Sequence, residues 1–392
     1  MKKLNEPQST LIPILIIGGL FFVFGFVTWL NGSLIPFLQI ACDLTHFQAY
    51  FVTLAFYISY TVMAIPVSFI LRRIGYKNGL ALGLVVMAIG ALVFIPAATT
   101  RWYGVFLLGL YVLGTGLTLL QTAANPYIVL IGPSETAAVR ISSMGLLNKG
   151  AGILAPLVFT ALVFGDMASF DVSGLADLSL HERNLALDEL SQRLVIPYLV
   201  LAGSLAILAM YIKLSPLPNP VFEGEELDSG SAFSVLQHPN LVLGAVTLFF
   251  YMGAEVIAGD TIGLFGRDLG VENFSQLTAY TMAFMMCGYV LGLLLIPRVL
   301  SQERALAASA ILGCILTLAI GSADMASPSA WTAVFGWLSV PAVPDAVFMV
   351  GLFGLAYALV WPSVWPLALR GLYEALTGTG SALLIMGIAG GA

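Results

Sequence analysis

The chain is built from eleven long apolar segments, most of them about 20 residues or longer. About 20 apolar residues in a helix span the ~30 Å hydrocarbon core of a bilayer, whereas barrel strands alternate over about ten residues. The composition agrees, because 59% of residues are hydrophobic and 9% are charged, against roughly 25% charged in soluble proteins. We therefore predict an all-α integral membrane protein, with segments at 11–39, 47–71, 79–98, 102–131, 139–165, 191–213, 240–266, 276–297, 305–323, 344–368 and 376–392.

Ten of these segments are complete spans, and the eleventh runs into the end of the sequence as LLIMGIAGGA without a polar cap. A helix ending inside the bilayer would leave its carbonyl groups unsatisfied in lipid. We therefore expect the natural chain to continue beyond Ala392, for example with one further span. At the other end, MKKLNEPQST leads into a full-length span with no cleavable signal pattern, which predicts a retained helix.

Basic residues predict a cytoplasmic N-terminus in a cytoplasmic (inner) membrane. In this orientation the inside segments contain Lys2, Lys3, Arg72, Arg73, Lys77, Arg140, Lys213, Arg298, Arg304 and Arg370. The outside segments contain Arg101, Arg183, Arg193 and Arg267. An excess of Lys and Arg on the inside is the usual pattern of membrane proteins.

The chain divides into two parts that resemble each other weakly. An acidic, proline-containing loop at 214–238 separates residues 1–213 from residues 239–392. FFVFGFVTWLNGSLIPF in the first part aligns with LFFYMGAEVIAGDTIGLF in the second when Gly25 is placed on Gly253. This predicts two pseudo-symmetric six-helix halves joined by a cytoplasmic linker, the second half being incomplete at its end. Between the fifth and sixth spans, residues 166–190 fall outside and are predicted to hold a short amphipathic helix.

Several motifs carry a family resemblance. SFILRRIGYKNGL, in the loop after the second span, resembles a degenerate form of the major-facilitator loop signature. WLNGSLIPF, FQAYFVTLAFYISY, LLQTAANPY, IGPSE and GAEVIAGDTIG together resemble the fucose–proton symporter and glucose/galactose transporter branch of the major facilitator superfamily. The resemblance implies twelve helices, alternating access between two halves and cation-coupled import of a monosaccharide.

Two positions depart from the fucose–proton symporter pattern. Where that family has an acidic residue in the first-span motif and a glutamate before TAANP, this chain has Gly32 and Gln121. The departure favours substrates of the glucose, galactose or N-acetylglucosamine type, with Na⁺ favoured over H⁺ as the coupling ion. A proton-coupled symporter of the fucose type, a polyspecific or lipid exporter and a non-transporting sugar sensor remain alternatives.

Three charged residues lie inside predicted spans, namely Lys149, Glu255 and Asp260. Each costs at least ~3 kcal/mol to insert, so such residues are functional candidates. Lys149 lies nine residues beyond Arg140, or roughly 14 Å along a helix. Its predicted partner is Glu255 or Asp260, and the alternative is a side chain that snorkels to the interface. The alternative for Glu255 is a structural, hydrogen-bonded carboxyl, and the alternative for Asp260 is a residue at the level of the lipid headgroups.

Glu255 and Asp260 are the predicted cation-coupling residues. They point about 140° apart on a regular helix, and Gly259 and Gly263 could kink the segment so that both face one cavity. Broken spans with exposed carbonyls form cation sites in many transporters. We therefore predict a Na⁺ site near these two carboxylates.

A sugar site needs hydrogen-bonding groups and an aromatic platform. The candidate amides are Asn31, Gln121, Asn125 and Asn148, and the candidate platforms are Trp29, Tyr57, Tyr251, Trp361 and Trp365. Lys149 and Glu255 complete the predicted binding set. Amides also join membrane helices, and aromatics also fill cores or interface belts, so each residue has a structural alternative.

Three arginines on the predicted inside, Arg72, Arg73 and Arg140, are candidates for a cytoplasmic latch in one transport state, with topology anchoring as the alternative. The sequence has no P-loop, catalytic triad or metal-ligand cluster, so we expect no enzyme activity and no cofactor besides the coupling ion. The net charge of −6 gives no indication of nucleic acid binding. The expected partners are a monosaccharide, a cation and the lipid bilayer, and we expect a monomer.

Overall fold

The computed structural model describes residues 11–130, 137–164, 178–217, 235–296, 299–338, 340–370 and a few residues between 380 and 391. These residues form a helical bundle without β-strands. Its helices are α1 (Leu11–Trp29), α2 (Asn31–Ala41), α3 (His46–Ala49), α4 (Phe51–Ile74), α5 (Tyr76–Thr100), α6 (Tyr103–Leu130), α7 (Ala137–Phe159), α8 (Leu180–Gln192), α9 (Val195–Leu214), α10 (Pro239–Asp260), α11 (Ile262–Asp268), α12 (Leu277–Leu295), α13 (Gln302–Ser322), α14 (Ser329–Phe335), α15 (Asp345–Tyr357) and α16 (Val360–Leu369).

Membrane-length helices dominate the described part of the chain. Nine helical stretches there are long and apolar enough to cross a bilayer. The predicted second span corresponds to α4, a helix of 24 residues. The predicted amphipathic helix is present as α8, which a Ser179–Glu182 capping box begins. The predicted linker lies mostly outside the described residues, and so does most of the eleventh segment, so the division at 214–238 stays a prediction.

Two predicted spans are interrupted near one end of the bundle. The first span is split at Leu30 into α1 and α2, and the seventh is split at Thr261 into α10 and α11. Gly259 and Gly263 are predicted to break or kink the seventh span, and the interruption at Thr261 lies between these two glycines. The interruption follows Asp260 instead of separating the two carboxylates.

The helices pack in two groups. In the first, α5 packs on α6 and α9, α1 on α7, and α4 on α6. In the second, α12 packs on α15, and both α10 and α13 pack on α16. The largest hydrophobic cluster draws almost all its members from residues 16–217, whereas smaller clusters are formed within residues 241–384. The contact of α7 with α12 joins the groups.

A polar seam, formed by Ser33, Thr160 and Ser275, joins the two helix groups at the end of the bundle where α2 lies. The Ser33 hydroxyl donates to the Ser275 carbonyl oxygen at 2.5 Å, and the Thr160 and Ser275 hydroxyl oxygens are 2.8 Å apart. Farther out, His46 Nδ1 lies 3.5 Å from Asp268 Oδ2 between exposed side chains. The two groups therefore meet directly at this end of the bundle.

Candidate functional site

A buried ion pair lies at the junction of the two helix groups. Lys149 Nζ of α7 lies 2.5 Å from Glu255 Oε1 of α10. The two side chains are 8% and 3% exposed. Of the two partners predicted for Lys149, the structure therefore has Glu255, and Lys149 does not snorkel to an interface. Two charges that would be costly alone in an apolar interior neutralise each other here.

Aromatic rings surround this ion pair. The Lys149 ammonium lies 4.4 Å from the centroid of the Trp29 ring, within cation–π range. Tyr57, Tyr251, Tyr289 and Tyr357 all interact electrostatically with the Glu255 carboxylate. The pair therefore lies in an aromatic enclosure contributed by α1, α4, α10, α12 and α15.

Trp29 is held at the end of α1 by two glycines on neighbouring helices. A Cβ atom at Gly152 of α7 would lie 2.7 Å from Trp29 Cδ1, and one at Gly259 of α10 would overlap the ring. The Trp29 indole N–H also donates to Asn148 Oδ1 at 3.4 Å. The ring is 2% exposed, so it forms the wall behind Lys149 instead of an open platform.

Asp260 is the second buried acid of α10. It is 0% exposed, and neither carboxylate oxygen has a hydrogen-bond partner among the described residues. It interacts electrostatically with Glu255 and with the Tyr57 hydroxyl. Since Lys149 compensates Glu255, Asp260 is left as the uncompensated acid of this site.

Two further buried polar atoms lack a hydrogen-bond partner among the described residues, namely the Tyr57 hydroxyl, which interacts electrostatically with Glu255, and Asn31 Nδ2. Asn31 is the first residue of α2, two residues after Trp29, and is 2% exposed. Tyr57 is 4% exposed and has Asp260, Tyr60 and Glu255 as electrostatic neighbours. Unsatisfied buried polar groups cost about 1–3 kcal/mol each, so they are candidates for contact with a ligand.

Of the remaining predicted amides, two have hydrogen-bond partners within the protein and one lies outside the described residues. Gln121 Nε2 donates to the Tyr60 hydroxyl at 3.3 Å. Asn148 Nδ2 donates to the Phe21 carbonyl oxygen at 3.4 Å, so this side chain ties α7 to α1 as well as holding Trp29. The Asn125 side chain lies outside the described residues.

The sequence profile of the Major Facilitator Superfamily matches residues 17–392. The chain belongs to the major facilitator superfamily. It is therefore a multi-pass membrane protein, and its fold and relatives are those of transporters and not of enzymes. The family predicted from the motifs is confirmed.

Relatives in this superfamily cover most of the chain. The glucose/galactose transporter of Brucella abortus is 32% identical over 377 residues, which are 95% of this chain and 83% of the relative. The L-fucose-proton symporter of Escherichia coli is 27% identical over 332 residues, or 81% of this chain and 74% of the relative. The crystal structure of the E. coli fucose:proton symporter matches with a TM-score of 0.73 at 22% identity, covering 98% of this chain and 90% of that chain.

The predicted aromatic platforms lie in two places of this major facilitator. Tyr251 is 7% exposed and adjoins the ion pair through Glu255. Trp361 and Trp365 of α16 stack on each other with centroids 5.5 Å apart. Both are half-buried and pack on the cluster that contains Tyr251. They therefore adjoin the aromatic enclosure through the cluster that contains Tyr251.

The predicted latch arginines differ in their surroundings. Arg140 is buried, and its Nε–H donates to the Ile128 carbonyl oxygen of α6 at 3.0 Å. Arg73 is exposed, and the Arg72 side chain lies outside the described residues. The latch role stays a prediction.

Several residues of the site are absent from the sequence prediction. Tyr289 and Tyr357 complete the enclosure, and Tyr60 binds Gln121. Thr278 and Thr281 of α12 donate to the Gly259 and Ala258 carbonyl oxygens at 2.8 and 3.2 Å, which holds α12 against the end of α10. Their signal in the sequence is weak, because tyrosine and threonine are common within apolar spans.

Gly32 lies where α2 packs tightly against α10 and α12. A Cβ atom there would overlap the Thr278 hydroxyl oxygen and lie 2.8 Å from the Gly259 carbonyl oxygen. The acid expected at this position from the fucose–proton symporter pattern has no room in this conformation. The site therefore takes its buried acids from α10.

Gly32→Ala is expected to destabilise the protein, since overpacking costs about 1–3 kcal/mol. The measurement is the midpoint of thermal unfolding in detergent. Gly19→Ala is the matched control, because a Cβ atom at Gly19 has no neighbour within 4 Å. An equal midpoint for the two variants would contradict the close approach at Gly32.

Proposed function

We propose that the protein is a secondary transporter that moves a neutral monosaccharide, of the glucose, galactose or N-acetylglucosamine type, by alternating access coupled to a cation. The observation that carries this proposal is the buried Lys149–Glu255 pair, with the unpartnered Tyr57 hydroxyl as an electrostatic neighbour of Glu255. The unpartnered Asn31 Nδ2 lies two residues along the chain from Trp29, whose ring contacts Lys149. The names of the glucose/galactose and fucose relatives support a sugar as the substrate.

The charge balance favours a neutral substrate. Lys149 compensates Glu255 and the proposed coupling cation compensates Asp260, so a charged sugar would leave one charge uncompensated in an apolar interior. Sugar hydroxyls both donate and accept hydrogen bonds. They match an amide N–H, a phenol and the free lone pairs of a carboxylate, while tyrosine rings pack against the C–H face of a sugar.

The coupling cation is proposed to bind at Asp260. Glu255 already has a cationic partner, whereas Asp260 has two unpartnered oxygens. No group of three or more His, Cys, Asp or Glu side chains that could hold a metal ion occurs among the described residues. Sodium would therefore need oxygen ligands besides carboxylates to complete its coordination, whereas a proton would need none. Sodium stays the first candidate, and the proton-coupled alternative is supported by the fucose-proton symporters among the relatives.

In an alternating-access cycle, the polar seam would close the outer side of the transporter. With the N-terminus inside, the seam of Ser33, Thr160 and Ser275 lies on the outer side. This conformation is then the outside-closed state, and opening toward the outside would separate α2 from α11 and α12. The proposed cycle alternates between breaking and re-forming this seam around the ion-pair site.

Uptake of radiolabelled hexoses into proteoliposomes tests the proposal, with a sodium gradient and a pH gradient imposed separately. Accumulation driven by one gradient alone identifies the coupling ion. Accumulation driven by the pH gradient alone would overturn the preference for sodium. Equilibration of sugar without accumulation under either gradient would overturn coupling while retaining transport.

Asn31→Ala is expected to raise the half-saturating sugar concentration about 3- to 10-fold, since a hydrogen bond contributes about 0.5–1.5 kcal/mol. Protein stability should change little, because Asn31 Nδ2 has no partner to lose among the described residues. Gln39→Ala is the matched control, as Gln39 is another buried amide of α2, about 12 Å farther along the helix. Equal sugar affinity in the two variants would remove Asn31 from the binding site.

A further inference from the structure

A crevice separates α9 from α1 and α7 on the membrane-facing side of the first helix group. Its volume is about 750 Å³, within the usual range for ligand sites of roughly 300–1,000 Å³. Its walls come from residues 22–30 at and just beyond the end of α1, from residues 158–162 and from Arg193 to Leu208. Part of this wall is the π-helix Thr160–Phe164, a conformation that is often found at functional sites. The crevice is separate from the ion-pair site and plays no part in the proposed sugar binding.

The chemistry of the crevice is that of a lipid tail site. Its lining is almost entirely aliphatic and aromatic, and Arg193 and Ser204 are among the few polar residues. Ile196, Val200 and Leu162 are 72%, 63% and 60% exposed, so the crevice opens to the surroundings. All three helices belong to membrane-length stretches, so those surroundings are acyl chains.

Arg193 places a positive charge at one end of the crevice. Its guanidinium is 3.5 Å from the Val163 carbonyl oxygen and 3.7 Å from Glu189 Oε1, both longer than the ~2.7–2.9 Å of strong charge-assisted hydrogen bonds. The side chain is 25% exposed. Five donors in a planar fork match a phosphate group, so donors remain for an anionic group beside Arg193.

We propose that this crevice binds a phospholipid, with an acyl chain lying along α9 and its phosphate on Arg193. From Arg193, just before α9, to Leu208 within it, the crevice extends for about 22 Å. This exceeds the depth of one leaflet, which is half of the ~30 Å hydrocarbon core. The crevice is therefore long enough to hold a single acyl chain that descends from the headgroup level at Arg193.

The bound lipid also supports the candidate site from behind. Val27 and Leu30, which flank Trp29, line the crevice, while Trp29 itself lies against Lys149. The acyl chain thus packs against the segment of α1 that holds the aromatic wall. Its loss should loosen this segment without removing any contact of the ion pair.

Photolabelling tests the proposal with purified full-length protein in nanodiscs that contain a phospholipid with a diazirine in its acyl chain. Peptides 158–162 and 193–208 should carry more label per exposed residue than α13, whose Ile311, Ile315 and Leu318 are similarly exposed to lipid. Labelling equal to that of α13 would overturn the proposal, since it would indicate ordinary annular lipid.

Two variants locate the ligand within the crevice. Arg193→Gln should lower crevice labelling about tenfold, as expected for a lost charge-assisted contact, whereas Arg183→Gln, which breaks an exposed pair with Asp43, should not. Ser204→Trp should fill the crevice and lower its labelling, whereas Val246→Trp, on an exposed face of α10, should leave it unchanged. Unchanged labelling in Arg193→Gln would exclude the phosphate contact, and unchanged labelling in Ser204→Trp would exclude the acyl chain.

Discussion

Lys149→Met is expected to lower the free energy of unfolding by about 3–5 kcal/mol, the cost of removing one partner from a buried ion pair. The variant leaves the Glu255 carboxylate 3% exposed, among tyrosines, and without its cation. Reversible unfolding in mixed detergent micelles measures the change. Sugar transport should fall as well, because the net charge of the site changes by one unit.

The double variant Lys149→Met/Glu255→Gln is the decisive comparison. It removes both charges, so most of the lost stability should return, since neutral replacement of a buried pair is often tolerated. Lys213→Met controls for loss of a lysine, because Lys213 is an exposed residue bonded to the neutral Asn78 side chain. A double variant as unstable as Lys149→Met would contradict charge compensation as the role of the pair.

Asp260→Asn is expected to abolish concentrative uptake while leaving sugar exchange intact. The amide keeps the size of the carboxylate but removes the charge to which the coupling cation binds in the proposed function. Accumulation should therefore fall to the equilibrium ratio. The measurement is gradient-driven uptake compared with sugar exchange in the same proteoliposomes.

Stability gives an independent check on the same variant. A buried charge without a partner is costly, so its neutral replacement should not lower the unfolding midpoint. Asp268→Asn is the control at the same end of the bundle, because Asp268 is 42% exposed and pairs with His46. Undiminished accumulation in Asp260→Asn would remove Asp260 from coupling, and an equal loss of accumulation in Asp268→Asn would assign coupling to the outer surface.

Much of the fold follows from the sequence because apolar length decides whether a helix crosses the bilayer. The predicted spans correspond to observed helices wherever the chain is described. The helix interruption at Thr261 lies between the two glycines at which the sequence argument expected it. In the sequence, glycines at 259 and 263 suggest only flexibility. In the structure, Gly259 leaves room for the Trp29 ring and Gly263 leaves room for the Gly32 carbonyl oxygen. Neither contact can be predicted from the sequence of this one segment.

The ion pair shows what sequence can and cannot establish about the site. The cost of inserting a charge identifies Lys149, Glu255 and Asp260 as special. It cannot say which acid Lys149 meets. Lys149 and Glu255 are 106 residues apart in the sequence, and only the packing of the helices brings them together. The same holds for Tyr289 and Tyr357, which gain their significance only from their position around Glu255.

Counterflow of sugar in proteoliposomes tests the central claim most directly, since it needs a carrier but no ion gradient. Vesicles preloaded with unlabelled glucose, galactose or N-acetylglucosamine are diluted into a trace of the same labelled sugar. The account predicts a transient accumulation of label with at least one of these sugars, weakened in Asn31→Ala and retained in Asp260→Asn. No accumulation with any of the three sugars in the unmodified protein would contradict it.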